Sequence, residues 1–443
     1  MSSLLQLPHH ILLKIFAGID EKSLLKLRLV SRDWKTVIDD EALWLKKFLK
    51  LIRFNPSWSD CHMYSWKSRF FFARKWQRGR VDRSMCLNFK KKYLPWLQLC
   101  PSHPNDHVWI SRGSTIDRHS RSELCQHAQS PPSKRHRHSS GTHSRVSMSS
   151  EVAGDDFCRF VVYRPCDRTD SVCIAAGTRS GYLCYQYQSL SCYDSSIDSA
   201  ASASFRAHHS DLHCVDMLVD DGLVITGSRD RTVKVWRMPK TSSTGDNNGE
   251  PVMKAVLDLD DRAWCLQANP KKPGIVGIGS AACWNDCAPL TLWDIESDRV
   301  IARLGLPCKR GAGILDLSFT SEQTILSGGY DSIVRVWDLR ISDSSDRCVW
   351  SWDETYNSSV YCLASDGHNA VFAGTSRYGL VWSLDTRWPK AVQNFYVGNQ
   401  NGPVYSMAAT TETLFVGLDS SICSLQCNRW STGNNGAGAL VPA

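Results

Sequence analysis

The sequence lacks several features that would mark a membrane protein, a secreted protein or an enzyme. No run of about eighteen apolar residues occurs in its 443 residues, so we expect no membrane-spanning helix. The N-terminus reads Met-Ser-Ser-Leu-Leu-Gln-Leu-Pro, without the charged region and apolar core of a secretory signal. No nucleophile elbow, phosphate-binding loop or carboxylate pair stands out, so we expect no catalytic residues and no cofactor.

Cysteines at metal-binding spacing are also scarce, although the chain has 18 cysteines. The one close pair, Cys283 and Cys287, has neither a second pair nor the histidines of a zinc site beside it. Without a secretory signal, we interpret the cysteines as reduced, mostly buried thiols of a cytoplasmic or nuclear protein.

Acidic residues are rare in two stretches of a chain with a net charge of +8. Between Lys67 and Lys92 the only acid is Asp82, and between Arg118 and Arg145 it is Glu123. Such basic stretches can bind nucleic acid or another anionic partner. We favour a solvated helix face or a disordered arm, and aromatic residues between positions 58 and 76 favour a helix with one buried face.

The first fifty residues have apolar residues at helical spacing. Leu7-Pro8 opens one predicted helix, a second apolar run follows Asp20, and a third helix carries Trp34 and continues beyond it. So short a segment cannot bury all its apolar residues, so we expect part of this surface to contact a partner or the next domain.

These residues resemble an F-box from end to end, above all in Leu27-Arg-Leu-Val-Ser-Arg-Asp-Trp34 and Leu43-Trp44. The resemblance implies a domain that docks on a Skp-type adaptor, which in turn binds a cullin-RING scaffold in an SCF ubiquitin ligase. A plain helical cap on the next domain is the alternative. By position, the residues that would line or support the adaptor interface are Leu7, Pro8, Ile11, Leu12, Ile15, Leu24, Leu27 and Val30.

A hairpin pattern recurs through the rest of the chain. In Gly227–Trp236, a polar turn separates two runs that alternate apolar and polar residues, which predicts two short strands. Related segments recur at intervals near those of propeller blades, about 40 to 45 residues each. We aligned the second hairpin strands on Gln186, Trp236, Trp293, Trp337, Trp382 and Gln426.

The hairpins resemble WD repeats, and the whole chain resembles F-box/WD-repeat proteins of the dactylin type. The resemblance implies that His208, Thr226, Asp230 and Trp236 form a structural hydrogen-bonded set within one blade. Residues 93–116 look like a first, irregular repeat, which gives seven blades; six are possible if this segment only completes the last sheet.

The predicted architecture is therefore a small all-α F-box domain (4–50), a helical basic connector (51–92) and an all-β WD-repeat propeller (93–430). We expect a disordered Ser/His-rich insert at about 117–154 and a flexible tail at 431–443.

Propellers bind partners on one face, where the turns inside the hairpins meet. Arginine offers a planar fork for carboxylate or phosphate, so the hairpin turns suggest a rim for an acidic or phosphorylated client. Solvated turn arginines are the alternative. The candidate substrate-binding residues are Arg179, Arg229, Arg231, Tyr330 and Arg377.

The function predicted from these features is that of a non-catalytic, substrate-recognition subunit of an SCF-type ubiquitin ligase. The alternative is a WD-repeat scaffold that binds nucleic acid or another anionic partner through the basic segments. The sequence does not identify the client.

Overall fold

The computed structural model describes most of the chain. The described residues are 7–51, 65–78, 81–89, 95–99, 107–121, 124, 145–146, 155–163, 171–189, 202–218, 222–239, 250–284, 286–306, 309–341, 347–367, 369–398 and 401–427. The predicted tail, 431–443, and most of the predicted insert lie outside them.

Four helices form the first folded unit: α1 (His9–Ala17), α2 (Glu21–Leu27), α3 (Arg32–Ile38) and α4 (Glu41–Leu51). Asp20 ends the first helical pattern because its carboxylate caps α2, accepting a hydrogen bond of 3.0 Å from the Ser23 amide. Ser31 caps α3 in the same way. The predicted third helix is in fact two helices, α3 and α4. Their core includes Leu24, Ile38, Leu43, Trp44 and Phe48.

Helix α5 (Trp66–Gln77) joins this unit to the strands that follow. Phe70 and Ala73 pack into the core of the helical unit, whereas Phe72 and Trp76 pack into a separate apolar cluster among the last strands of the chain. The Trp76 indole donates a hydrogen bond of 2.8 Å to the Thr411 carbonyl oxygen. Because one helix contributes to both cores, it fixes the helical unit against the sheets.

The basic residues of α5 pair with acids of the preceding helices. Arg78 lies 3.0 Å and Arg74 3.4 Å from the Glu21 carboxylate, and Lys67 contacts the Asp39 carboxylate. The predicted buried aromatic face and basic outer face of this segment therefore agree with the structure, and part of its positive charge is neutralised within the chain.

The strands of the described region form seven four-stranded antiparallel sheets, so the seven-bladed expectation is confirmed and the six-bladed one is wrong. In chain order the strands are β1 (Asp82–Asn88), β2 (Leu97–Leu99), β3 (His107–Arg112), β4 (Thr115–Ser120), β5 (Arg145–Val146), β6 (Phe157–Tyr163), β7 (Ser171–Thr178), β8 (Tyr182–Ser189), β9 (Ser202–Arg206), β10 (Leu212–Leu218), β11 (Leu223–Ser228), β12 (Thr232–Arg237), β13 (Val252–Asp258), β14 (Ala263–Ala268), β15 (Ile275–Ser280), β16 (Leu290–Asp294), β17 (Arg299–Leu304), β18 (Ile314–Ser321), β19 (Thr324–Gly329), β20 (Ile333–Asp338), β21 (Cys348–Asp353), β22 (Val360–Ser365), β23 (Ala370–Thr375), β24 (Leu380–Asp385), β25 (Gln393–Tyr396), β26 (Val404–Ala409), β27 (Thr413–Leu418) and β28 (Ser421–Gln426).

Blades 1 to 6 are the consecutive groups of four strands from β2 to β25. Their first strands, with β26 of blade 7, contact one another in succession, and β2 contacts both β6 and β26, which closes the ring. Blade 7 consists of β26, β27, β28 and, as its outermost strand, β1 from the other end of the chain.

Two predicted boundaries need correction. The propeller begins at Asp82 rather than at residue 93, because β1 pairs with β28 and belongs to blade 7. The segment predicted as a disordered insert begins too early, because β4 continues to Ser120 and its Asp117 is buried. None of the helices in the described part of the chain combines the length and apolar character needed to cross a membrane.

Candidate functional site: the mouth of the propeller channel

Blade 3 contains a hydrogen-bonded chain that links strands β11 and β12 to the turn between them and to the loop before β10. Trp236 Nε1 donates to the Thr226 hydroxyl at 3.0 Å, and this hydroxyl lies 2.8 Å from His208 Nε2. His208 Nδ1 lies 3.1 Å from the Asp230 carboxylate, which also accepts the backbone amides of His209 and Thr232. A neutral imidazole with its proton on Nδ1 satisfies every one of these contacts.

These four residues form a fixed structural unit. Burial lowers the pKa of His208 to about 4, with the neighbouring Asp230 acting in the opposite direction. His208 is therefore neutral at pH 7 and sits inside the blade, 1% exposed. Its surroundings suit a fixed hydrogen-bond relay between strands better than a group that exchanges protons with a ligand.

Other blades keep part of the set. In blade 5 the Trp337 indole donates to the Ser327 hydroxyl at 2.8 Å. In blade 6, Trp382 was predicted as the equivalent of Trp236, and this prediction is wrong. Leu384 is the equivalent residue, because it pairs with Val371 in the way that Trp236 pairs with Val224 in blade 3. The turn of blade 6 is one residue longer, because Gly374 pairs with Val381 whereas Gly227 pairs with Val233, and this shifts the alignment.

In blade 7 the same comparison shows that the equivalent of Trp236 is Leu425, which pairs with Leu414, and not the predicted Gln426. The predicted equivalents in these last two blades were chosen by side-chain type. The true equivalents follow from the strand pairing, counted from the glycine that opens each turn.

A cavity of about 400 Å³ opens at the centre of the propeller, at the end of the blades where the innermost strands begin. Each innermost strand of blades 2 to 7 has a β-bulge at this point, and the bulged residue lines the cavity. A bulge adds one unpaired residue and redirects its side chain, so the repeated bulge gives each blade one residue in the wall. In blade order these residues are Cys158, His213, Trp264, Leu315, Tyr361 and Tyr405, and Trp96 lines the wall from blade 1.

The residue after the bulge packs into the ring of blades. At this position Cys214, Cys265 and Cys362 are fully or almost fully buried. Burial raises the pKa of the Cys214 thiol to about 12, so this thiol is not reactive. Every cysteine that the structure describes is a free thiol, and no group of three or more His, Cys, Asp or Glu residues in the same regions could hold a metal ion.

Arg159 and Asp316 occupy this same position in blades 2 and 5 and meet across the channel. Their guanidinium and carboxylate groups lie 3.0 Å apart and both are buried. Asp316 also accepts the Leu363 amide of blade 6, and Arg159 lies 3.8 Å from the centre of the Trp96 ring. The pair joins opposite blades and narrows the channel below the cavity.

The structure separates the five predicted substrate-binding residues into three groups. Arg179 and Tyr330 line the cavity. Arg229 is exposed next to the cavity residue Asp211, 3.8 Å from its carboxylate. Arg231 and Arg377 are exposed but do not line the cavity; Arg231 adopts a φ of 69° and its carbonyl oxygen accepts the Leu259 amide. No contact with a client tests any of the five.

Sequence reasoning missed the aromatic part of the wall, Trp96, Trp264, Tyr361 and Tyr405. A signal was present in the pairs His213-Cys214, Trp264-Cys265 and Tyr361-Cys362, in which a large ring precedes a cysteine at the start of a repeat.

The eight predicted adaptor-binding residues also divide by exposure. Leu12 and Leu24 belong to the core of the helical unit, and Ile11 and Leu27 are half-buried. Leu7, Pro8, Ile15 and Val30 are exposed, and so is Leu29, which is 82% exposed and was not predicted. The helical unit thus carries an apolar surface that the described part of the chain leaves uncovered.

The helical unit and the cavity lie at opposite ends of the blades. Successive antiparallel strands place their connecting turns at alternate ends. The helical unit contacts turns between first and second or third and fourth strands: Asn369 and Arg387 donate to the Leu51 carbonyl oxygen at 2.6 and 2.8 Å, and Trp76 donates to Thr411. The cavity opens at the other end, beside the turns between second and third strands.

A helical domain with an exposed apolar surface is fixed to a seven-bladed propeller, in which blade 3 carries the full His-Thr-Asp-Trp set and blade 5 carries part of it. Family comparison agrees, because the F-box-like model matches residues 4–50 and the WD domain, G-beta repeat model matches residues 200–237 and 306–338. The chain thus combines an F-box-like domain with WD repeats.

Among individual proteins, the chain is similar to F-box/WD repeat-containing protein 4 of Homo sapiens, with 27% identity over 95% of this chain and 92% of that protein. The Mus musculus protein of the same name is 28% identical over the same shares. Autophagy-related protein 16 of Arabidopsis thaliana is 24% identical over 44% of this chain and 34% of its own length.

Proposed function

We propose that this chain is the substrate-recognition subunit of an SCF-type ubiquitin ligase, without a catalytic step of its own. In this proposal the F-box domain docks on a Skp-type adaptor that is bound to a cullin-RING scaffold. The mouth of the propeller binds a protein client for ubiquitination, in the cytoplasm or the nucleus.

The observation that carries the proposal is the arrangement of two unlike surfaces on one rigid body. The helical unit has an apolar surface that the described residues leave uncovered, with Ile15 on α1 and Leu29 and Val30 between α2 and α3, and a cavity lies at the far end of the propeller. Helix α5 packs into both units, so a client held at the mouth would stay at a defined distance from the adaptor. Holding two molecules on one body raises their effective concentration for each other, which is how a subunit without catalytic groups can promote a reaction.

The alternative of nucleic-acid binding through α5 has weaker support. Phe70, Phe72 and Trp76 are buried and not free to stack on bases, and Lys67 and Arg78 contact acids of the same chain. Most of the second basic stretch, from Arg118 to Arg145, lies outside the described residues.

The adaptor contact is tested by pull-down of a purified Skp-type adaptor with the full-length chain. Ile15 and Val30, which are 41% and 55% exposed, are replaced together by Asp. We expect the double variant to lose the adaptor, because two carboxylates would then be buried in an apolar interface. Ile301→Asp, a change at a residue 49% exposed on β17, is the matched control and should bind normally. Adaptor binding by the double variant at the wild-type level would contradict the proposal.

A further inference from the structure

The cavity wall consists mainly of rings. Trp264 stacks on His213 with ring centres 4.4 Å apart, and Tyr330 meets Trp264 edge-on at 6.3 Å. Tyr361 and Tyr405 lie 6.3 Å apart in the neighbouring part of the wall. A volume of about 400 Å³ is at the small end of the range for ligand pockets, which suits one large side chain rather than a helix or a strand.

The wall is poorly suited to a phosphate group. The guanidinium of Arg159 is already paired with Asp316 at 3.0 Å and lies against Trp96. Drawing Arg159 toward a phosphate would leave the buried Asp316 carboxylate without its counter-charge, which is strongly unfavourable. Arg179 is exposed at the rim, beside Cys158 rather than deep in the cavity.

The cavity also disfavours a cationic side chain of the client. Burial lowers the pKa of His213 to about 4, and Arg229, Arg262 and Arg159 lower it further, against the opposing effect of Asp211. A positive charge at the position of His213 is therefore penalised by its surroundings. Arg229, which is exposed at the rim, favours acidic groups there.

We propose that the cavity receives one uncharged aromatic side chain of the client, and that acidic residues beside it in the client lie against Arg179 and Arg229. The inference rests on the proposed function, because it specifies what the recognition subunit recognises. Aromatic walls at van der Waals distance stabilise an inserted ring through burial and edge-to-face contacts, and buried aromatic anchors often dominate peptide binding.

The test is a selection of random displayed peptides on the full-length protein, followed by binding measurements with synthetic peptides of the enriched sequences. A parallel array carries phosphoserine and phosphothreonine peptides. We expect enrichment of Trp, Tyr or Phe at one position with Asp or Glu beside it. Leu315→Trp places an extra indole in the cavity and should weaken binding at least about tenfold. Ile301→Trp makes a comparable exchange on the outer strand of blade 4 and should have no effect.

A second variant tests the proposal independently of the folding of Leu315→Trp. Arg229→Glu at the exposed rim should weaken the acidic peptides but leave peptides with Gln in place of Glu unchanged. The inference is overturned by selection of phosphopeptides without an aromatic residue, by Lys or Arg at the anchor position, by no enrichment, or by full binding to well-folded Leu315→Trp. Adaptor capture by the same preparations separates the two proposals: failure of the peptides alone refutes the aromatic site, and failure of the adaptor alone refutes the ligase role.

Discussion

Replacing Thr226 by Val tests whether the hydrogen-bonded set of blade 3 stabilises the propeller. Valine keeps the branched shape of threonine but removes the hydroxyl group. Trp236 Nε1 at 3.0 Å and His208 Nε2 at 2.8 Å then both lose their partner inside the blade. A buried polar group without a partner costs about 1 to 3 kcal/mol, so we expect the free energy of unfolding to fall by about 2 to 5 kcal/mol.

Blade 5 offers a matched comparison. Ser327→Ala removes the partner of a single group, Trp337 Nε1 at 2.8 Å, because the pair has no histidine beside it. We expect a loss of about 1 to 3 kcal/mol, smaller than that of Thr226→Val. The assay is urea unfolding followed by tryptophan fluorescence, with circular dichroism to confirm the native fold. A loss for Ser327→Ala that equals or exceeds the loss for Thr226→Val would refute the reasoning.

Three further predictions concern the same fold. The pKa of His208 falls from 6.5 to about 4 on folding, so the unfolded chain binds a proton at a higher pH than the folded chain does. The free energy of unfolding should therefore fall by up to about 3 kcal/mol as the pH is lowered from 6.5 to 4. Urea unfolding measures this dependence, and His208→Gln should flatten it. Gly227→Ala should cost about 1 to 3 kcal/mol, since its Cβ would lie 2.6 Å from Cys214 Sγ, whereas Gly402→Ala meets nothing closer than 3.6 Å and should cost less in thermal unfolding. Trp76→Ala should remove about 3 to 5 kcal/mol of packing between the F-box domain and the propeller, detected as faster limited proteolysis at the junction; an unchanged cleavage rate would contradict the rigid connection.

The sequence was informative where local patterns determine structure. The hairpin from Gly227 to Trp236 was predicted with its turn, because a polar turn between alternating strands is a short-range signal. Leu7-Pro8 likewise precedes the start of α1, and Asp20 and Ser31 cap α2 and α3 through side-chain hydrogen bonds. The division of the third helix into α3 and α4 was missed because apolar residues continue across Asp39 and Asp40.

The parts that could not be predicted depend on distant residues. Nothing near Asp82 indicates that β1 pairs with β28, because the partner lies at the other end of the chain. The cavity residues come from seven separate blades, and a bulge that points Trp264 or Tyr361 into the channel is decided by pairing with the next strand. Trp382 was matched to the wrong position because residue type is a weaker guide to register than the number of residues in the turn.

The strand β1 gives the protein a specific order of completion during synthesis. Asp82–Asn88 form the first strand to be made, but their partner, Ser421–Gln426, is the last of the strands that the structure describes. Helix α5, directly before β1, packs on the same late blades. A chain that stops before β28 therefore lacks the strand with which β1 pairs, and α5 loses part of the apolar cluster into which it packs. Blade 7 is thus completed only after the last described strand has been made.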